Sequence, residues 1–342
     1  IDGHRRRARA GRRDFDSKMV ALPEITPPVP LNPDEGRAIF DRVIVPLDGS
    51  TRGERVLQLV VPLAELLGSE LTLLHVLLPR HENPGQPGEV NYPDTLHDRT
   101  RSLANDYLAE VTQKIVRGRV RTRSVTAAGR TSDMILAHAE HGSYSVIAVG
   151  ARPRPRIFNW FREGITESVW TRSNVPVLFW TTKEARDSFE PHNVPERIVV
   201  LVNGSSRTTR ALEYAKRLAV GADLGVTLLG VQAPATARIT DPTARLYSDD
   251  PMGFLEEQES YLRDSNVDAD VVLRSEKAAS ALLKAEEELP PHLTIMAAGK
   301  RRVLSRVVFG SLIARIVRRT TNPIIFIPPT YELDPAPATE AP

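Results

Sequence analysis

The sequence predicts an α/β protein built as two tandem, doubly wound parallel sheets, and three observations lead there. The first is a repeat. RVIVPLDGS at Arg42–Ser50 returns as RIVVLVNGS at Arg197–Ser205, an offset of 155 residues (197 − 42). The match runs on without a gap to Val76 and Val231, through identical pairs such as Gly49 and Gly204, Leu63 and Leu218, and Thr72 and Thr227. Solenoid units are only about 20–50 residues long, so a unit of this length is a domain. The second is an alternation. Each copy sets apolar runs of strand length against segments of helical period, the pattern of a parallel sheet covered on both faces. The third is a turn. Asp48 and Asn203 follow the first apolar run of their copies, which puts both at the carboxyl end of a strand. In a doubly wound sheet, ligands bind outside those ends, where the winding reverses.

Bulk composition agrees and excludes much. The 342 residues hold two domains of about 150 plus tails, each able to bury a core. A net charge of +2 gives no strong steering, so neither nucleic acid nor a membrane is indicated as partner. The chain has no cysteine, which removes disulfides, thiolate metal sites and Cys nucleophiles, and is compatible with a cytoplasmic setting. No apolar run reaches the roughly 20 residues that span a bilayer.

Taken in order, residues 1–40 read as a disordered arm. Arg5, Arg6, Arg7, Arg9, Arg12 and Arg13 crowd its start, and prolines follow from Pro23 to Pro33. Such a segment buries too little apolar surface to offset its ordering entropy. It is either a basic arm for acidic partners or a tail, with Met19 a candidate start. Domain 1 covers residues 41–181. Val43–Leu47 is a strand, apolar throughout. Ser50 or Thr51 caps a helix whose stripe is Val56, Leu57, Val60, Leu63, Ala64 and Leu67, and Gly68 ends it. Leu71–Leu77 is the second strand. A Pro-rich loop, a helix from Leu96 to Val116 and a strand at Val120–Thr126 follow. A helix at Ser132–His141, a strand ending at Gly150, a basic loop, a helix at Thr166–Arg172 and the strand Pro176–Trp180 complete the unit. Residues 182–195 read as a linker. Domain 2, residues 196–328, repeats the order with strands at Ile198–Val202, Val226–Val231, Asp270–Leu273, Leu293–Ala298 and Ile324–Ile327. Residues 329–342 read as a disordered tail.

VIVPLDGS, LTLLHV, VIAVG and TESVWTRSNVPVLFW in domain 1 resemble the universal stress protein family, as do VVLVNGS, VTLLGV, IMAAG and FGSLIARIVRRTTNPIIFIPP in domain 2. The resemblance covers most of both domains and implies five-stranded parallel sheets of order 3-2-1-4-5, with ATP as the ligand of nucleotide-binding members. It implies that the Asp after strand 1 and the backbone after strand 2 hold the nucleoside: Asp48 and Val76 in domain 1, Asn203 and Val231 in domain 2. It also implies a phosphate loop after strand 4 of pattern G-x2-G-x9-G-S/T. Glycines let backbone N–H groups close on a phosphate, and the last pair opens a helix whose N-terminus favours anions.

Each domain departs from that loop. Domain 1 keeps Gly150 but places Pro153, Glu163 and Gly164 at the later positions. Proline lacks the N–H. A glutamate about 5 Å from a phosphate repels it by roughly 3 kcal/mol at an effective dielectric of about 20. Domain 2 keeps Gly299 and Gly310–Ser311 but shortens the gap to 11 (310 − 299) and puts Arg302 at the middle glycine. Asn203 still offers an acceptor, without the charge. The expectation is therefore a non-enzymatic stress-response module that binds ATP or another nucleotide or anion weakly, in domain 2 rather than domain 1, and acts through protein partners. The alternative is a nucleotide hydrolase or nucleotidyl-transfer enzyme of the same fold group, against which stands the lack of a Walker loop and of an acidic metal pair. His75, His138 and His141 read as packing residues, and Ser50 and Ser205 as helix caps. The fifth strands are apolar edges without a blunting lysine, so the two domains are expected to pair through them, with Val177, Phe179, Ile324 and Phe326 at the interface.

Overall fold

The computed structural model describes residues 37–78, 93–115, 120–150, 165–180, 194–205, 207–231, 247, 249–289, 292–297, 316–317 and 319–331. Domain 1 runs β1 (Arg42–Leu47), α1 (Thr51–Glu54), α2 (Leu57–Leu67), β2 (Glu70–Leu77), α3 (Pro93–Ile115), β3 (Arg121–Ala128), α4 (Thr131–His141), β4 (Val146–Gly150), α5 (Ile165–Arg172) and β5 (Val177–Trp180). Domain 2 runs β6 (Arg197–Val202), α6 (Thr208–Ala222), β7 (Gly225–Val231), α7 (Pro251–Asp264), β8 (Ala269–Arg274), α8 (Ala278–Glu288), β9 (His292–Ala297) and β10 (Ile324–Ile327).

The apolar runs became strands because both of their faces are covered. Val43, Ile44 and Val45 of β1 and Ile198, Val199 and Val200 of β6 are fully buried. α2 ends where expected: Gly68 takes φ 71°, and its N–H reaches back to the Ala64 and Glu65 carbonyls. The expected single helix after β1 is instead two, α1 and α2, separated by a turn at Arg55–Val56.

Within each half the strand order is 3-2-1-4-5, but the two expected sheets are one. The order is β3-β2-β1-β4-β5-β10-β9-β6-β7-β8, ten strands in a continuous sheet. β5 and β10 meet antiparallel, with Phe179 opposite Ile324, Leu178 opposite Ile325 and Val177 opposite Phe326. Each fifth strand thereby gives its backbone N–H and C=O groups a partner that an open edge lacks. Every other pairing is parallel. The strands of the two halves therefore run in opposite directions, and their carboxyl ends lie on opposite edges of the sheet.

Side chains close the seam. Phe179 packs into a cluster with Val199, Leu201, Met296 and Phe326 of domain 2. Trp170 of α5 lies 5.8 Å from Phe326, centroid to centroid. The Trp180 Nε1–H donates to the Thr321 carbonyl at 3.1 Å. On the other face α2 and α6 pack together, and the buried Tyr214 hydroxyl donates to the Ile39 carbonyl at 3.3 Å.

Two boundaries move. Ile39 and Phe40, placed in the arm by sequence, are buried in the core, because their apolar side chains pack in the same cluster as β1 and α2. Tyr331, placed in the tail, packs edge-on to Tyr214 at 6.0 Å, and Thr330 donates to the Asn174 side chain at 2.8 Å. Residues 1–36, most of 182–195 and all of 332–342 lie outside the described residues.

Candidate functional site

The turn after the first strand of each half is built the same way. In domain 1 the Asp48 Oδ1 accepts from the Ser50 backbone N–H at 3.0 Å and from the Ser50 hydroxyl. The Ser50 Oγ in turn accepts from the Gly53 N–H at 3.1 Å, so Ser50 caps α1. In domain 2 the Asn203 Oδ1 accepts from the Ser205 N–H at 3.1 Å, the Ser205 hydroxyl at 2.8 Å and the Thr208 hydroxyl at 3.2 Å. One oxygen does the closing in both, which is why Asp and Asn are interchangeable for the turn. Gly49 and Gly204 follow at φ 79° and 66°, the left-handed conformation that glycine adopts without strain.

In domain 1 this turn is exposed. β1 lies between β2 and β4, so Asp48, Val76 and Gly150 share one carboxyl edge. Asp48 and Gly49 are exposed, and Val76 and Gly150 half-buried. Among the described residues, a Cβ placed on Gly49 would meet only the His75 ring, 3.9 Å away at Cε1. His75 Nδ1–H donates to the Leu47 carbonyl at 2.9 Å, which sets the tautomer and leaves Nε2 as an acceptor in the neutral ring. Tyr107 of α3 packs edge-on to that ring at 5.9 Å and donates its hydroxyl to Glu54 Oε1 at 3.0 Å. Burial raises the Tyr107 pKa and the Glu54 charge raises it further, so the phenol remains a donor. His138 and His141, the other histidines weighed, each bond a carbonyl four residues back on α4.

In domain 2 the same space is filled. Gly230 stands where domain 1 has His75, at the same repeat offset. The Tyr247 ring enters there, and its hydroxyl donates to the Val231 carbonyl at 2.8 Å. A Cβ on Gly230 would lie 3.0 Å from the Tyr247 hydroxyl, and one on Gly204 2.6 Å from the ring Cδ1. Phe254 of α7 packs edge-on to the ring at 5.5 Å. Gly204, Gly230, Val231 and Tyr247 are all buried. Burial pushes the Tyr247 pKa up to about 12, so it too stays protonated.

These two ends bear on one expectation. Domain 2 was the expected home of a nucleotide, yet the Val231 carbonyl already has a donor and Gly204 is already covered. Its phosphate-loop residues Gly299, Arg302, Gly310 and Ser311 lie outside the described residues, as do Pro153, Glu163 and Gly164 of domain 1. Tyr107 and Tyr247 escaped the sequence reading. The signal that points to Tyr247 is Gly230 opposite His75, a ring lost inside a gap-free repeat.

The universal stress protein family model matches residues 39–180 and again residues 195–328. No curated protein matches the chain. Among solved structures, a universal stress protein from Archaeoglobus fulgidus DSM 4304 superposes with a TM-score of 0.65 at 21% identity, covering 84% of this chain and 98% of its own. A functionally unknown protein from Pseudomonas aeruginosa PAO1 follows at 0.52 and 15% identity, covering 87% and 95%. A putative universal stress protein from Pseudomonas aeruginosa UCBPP-PA14 scores 0.51 at 15% identity, covering 86% and 95%. At these identities the likeness is one of fold. With both halves matched over nearly their whole length and each wound in the order 3-2-1-4-5, the chain belongs to the universal stress protein family, as a tandem member.

Proposed function

We propose that the chain is a non-enzymatic stress-response module that binds a nucleotide such as ATP in domain 1. The observation that carries this reading is the exposed Asp48–Gly49 turn at the carboxyl edge, with Val76 and Gly150 on the neighbouring strands. Asp48 offers an anionic acceptor for ribose hydroxyls, and the glycine leaves room for a ring to approach the backbone. His75 Nε2 adds an acceptor and Tyr107 an aromatic wall. The β5–β10 seam supports reading the two halves as one unit in solution, which then presents its ligand state to protein partners.

Calorimetric titration of ATP into the full chain tests the reading. Asp48→Ala removes a charged acceptor worth about 1.5–3 kcal/mol, so affinity should fall roughly tenfold or more. Equal affinity in Asp48→Ala and the parent chain sinks the assignment. Steady-state assays with ATP and Mg²⁺ should show no turnover above buffer; turnover would move the chain to the hydrolase or transferase class.

A further inference from the structure

We propose that Tyr247 is an intramolecular stand-in for a ligand, filling the crevice of domain 2 with a planar, hydrogen-bond-donating ring in the place of a purine nucleoside. The ring sits where a doubly wound sheet takes its ligands, outside the carboxyl ends of β6 and β7. It behaves as a bound planar molecule would. It lies against Gly204, where any side chain would collide with the ring, and its hydroxyl lies 3.0 Å from where a Cβ on Gly230 would stand. It donates one hydrogen bond, at 2.8 Å, to a strand-end backbone carbonyl. An exocyclic amine on a purine would donate to the same atom. Phe254 walls the ring at 5.5 Å. Tyr247 lies outside the strands. It precedes the cap of α7, where Asp250 Oδ1 accepts from the Gly253 N–H at 2.9 Å and fixes the approach of the chain. In domain 1 the corresponding turn glycine, Gly49, is exposed.

The ligand class rests on the nucleotide reading of domain 1; the occupancy by Tyr247 does not. Thermal unfolding of full-length Tyr247→Gly separates the two, with p-cresol as a copy of the lost side chain and adenosine as the nucleoside. Both compounds should raise the melting temperature of Tyr247→Gly by about 3 °C or more beyond any rise in the parent chain. If neither shifts the variant more than the parent, no preformed slot exists and the proposal falls. If p-cresol does so and adenosine does not, the slot fits a phenol only and the purine class is overturned, whatever Asp48→Ala has shown in domain 1. Should Tyr247→Gly fail to fold, Tyr247→Ala removes the ring with less backbone freedom, and photolabelling with 8-azidoadenosine is read instead. Labelling of domain 2 peptides in Tyr247→Ala but not in the parent supports the proposal, and its absence overturns it.

Discussion

The turns at Gly49 and Gly204 have nearly the same backbone and share the two hydrogen bonds from serine, yet one is exposed and the other buried. The difference arises one strand away. His75 occupies its own volume in domain 1 and leaves the turn uncovered. Gly230 vacates that volume in domain 2, and Leu255, Tyr247 and Leu273 close around it. A turn can thus be kept, with Asn203 for Asp48, while its exposure differs with what packs beside it. In this chain the turn residues report how the strand meets the helix, and the neighbouring position reports whether anything can reach it.

The largest test of this contrast asks whether the halves differ independently or only as parts of one sheet. Phe179→Asp puts a carboxylate into the seam and should cost on the order of 4 kcal/mol in urea unfolding. Because Phe179 packs with Val199, Leu201 and Phe326, amide hydrogen exchange should rise in domain 2 as well as in domain 1. A loss confined to domain 1 would mean that the halves fold separately.

Gly204→Ala comes next. It combines left-handed strain with overlap on the Tyr247 ring, for about 2–4 kcal/mol of lost stability, whereas Gly49→Ala should lose only about 1–2. Adding Tyr247→Gly should remove most of that difference. If the two alanines are equally harmful, Tyr247 is not what distinguishes the turns.

A smaller effect is expected at a charged clasp found in only one half. Glu213 of α6 accepts from Lys216 at 2.8 Å, from Arg217 at 3.1 Å and from the Tyr261 hydroxyl of α7 at 2.8 Å. Its repeat partner in domain 1 is the uncharged Gln58. Burial pushes the Glu213 pKa up, but the bonds from Lys216, Tyr261 and Arg217 outweigh it and hold the group below its ordinary 4.5. A depressed folded pKa stabilises the native state above the unfolded value, and that contribution is lost as pH falls through the folded one. Domain 2 should therefore loosen at α6–α7 as pH drops below about 4.5, and Glu213→Gln should remove this component at a loss of about 1–2 kcal/mol at neutral pH. Hydrogen exchange across an acid series reads both. Smallest of all, Asp48→Ala should change unfolding by only about 0.5–1 kcal/mol, since Ser50 still caps α1. A larger loss would make Asp48 a structural residue first.

The strands were legible because burial on both faces leaves an unbroken apolar run, as in Val43–Leu47 and Ile324–Ile327. Gly68 marked the end of α2 for a local reason, its left-handed φ. The seam partners were legible from the apolar edge strands. Ile39, Phe40 and Tyr331 were not, because each stands beside polar, Pro-rich sequence and gains its burial from segments distant along the chain. Tyr247 was illegible for the same reason. Its place depends on two glycines 26 residues apart in sequence (230 − 204) that converge at adjacent strand ends. Composition around Tyr247 reads only as loop.

The continuous sheet has a genetic consequence. Two identical chains joined at their fifth strands would have to carry every substitution twice, so a change that seals one crevice would seal both. A duplicated copy inside one gene is free of that constraint. His75 in one half and Gly230 in the other coexist here within one polypeptide whose β5 and β10 pair. The fusion keeps the architecture of a symmetric pair while letting its two faces acquire separate histories.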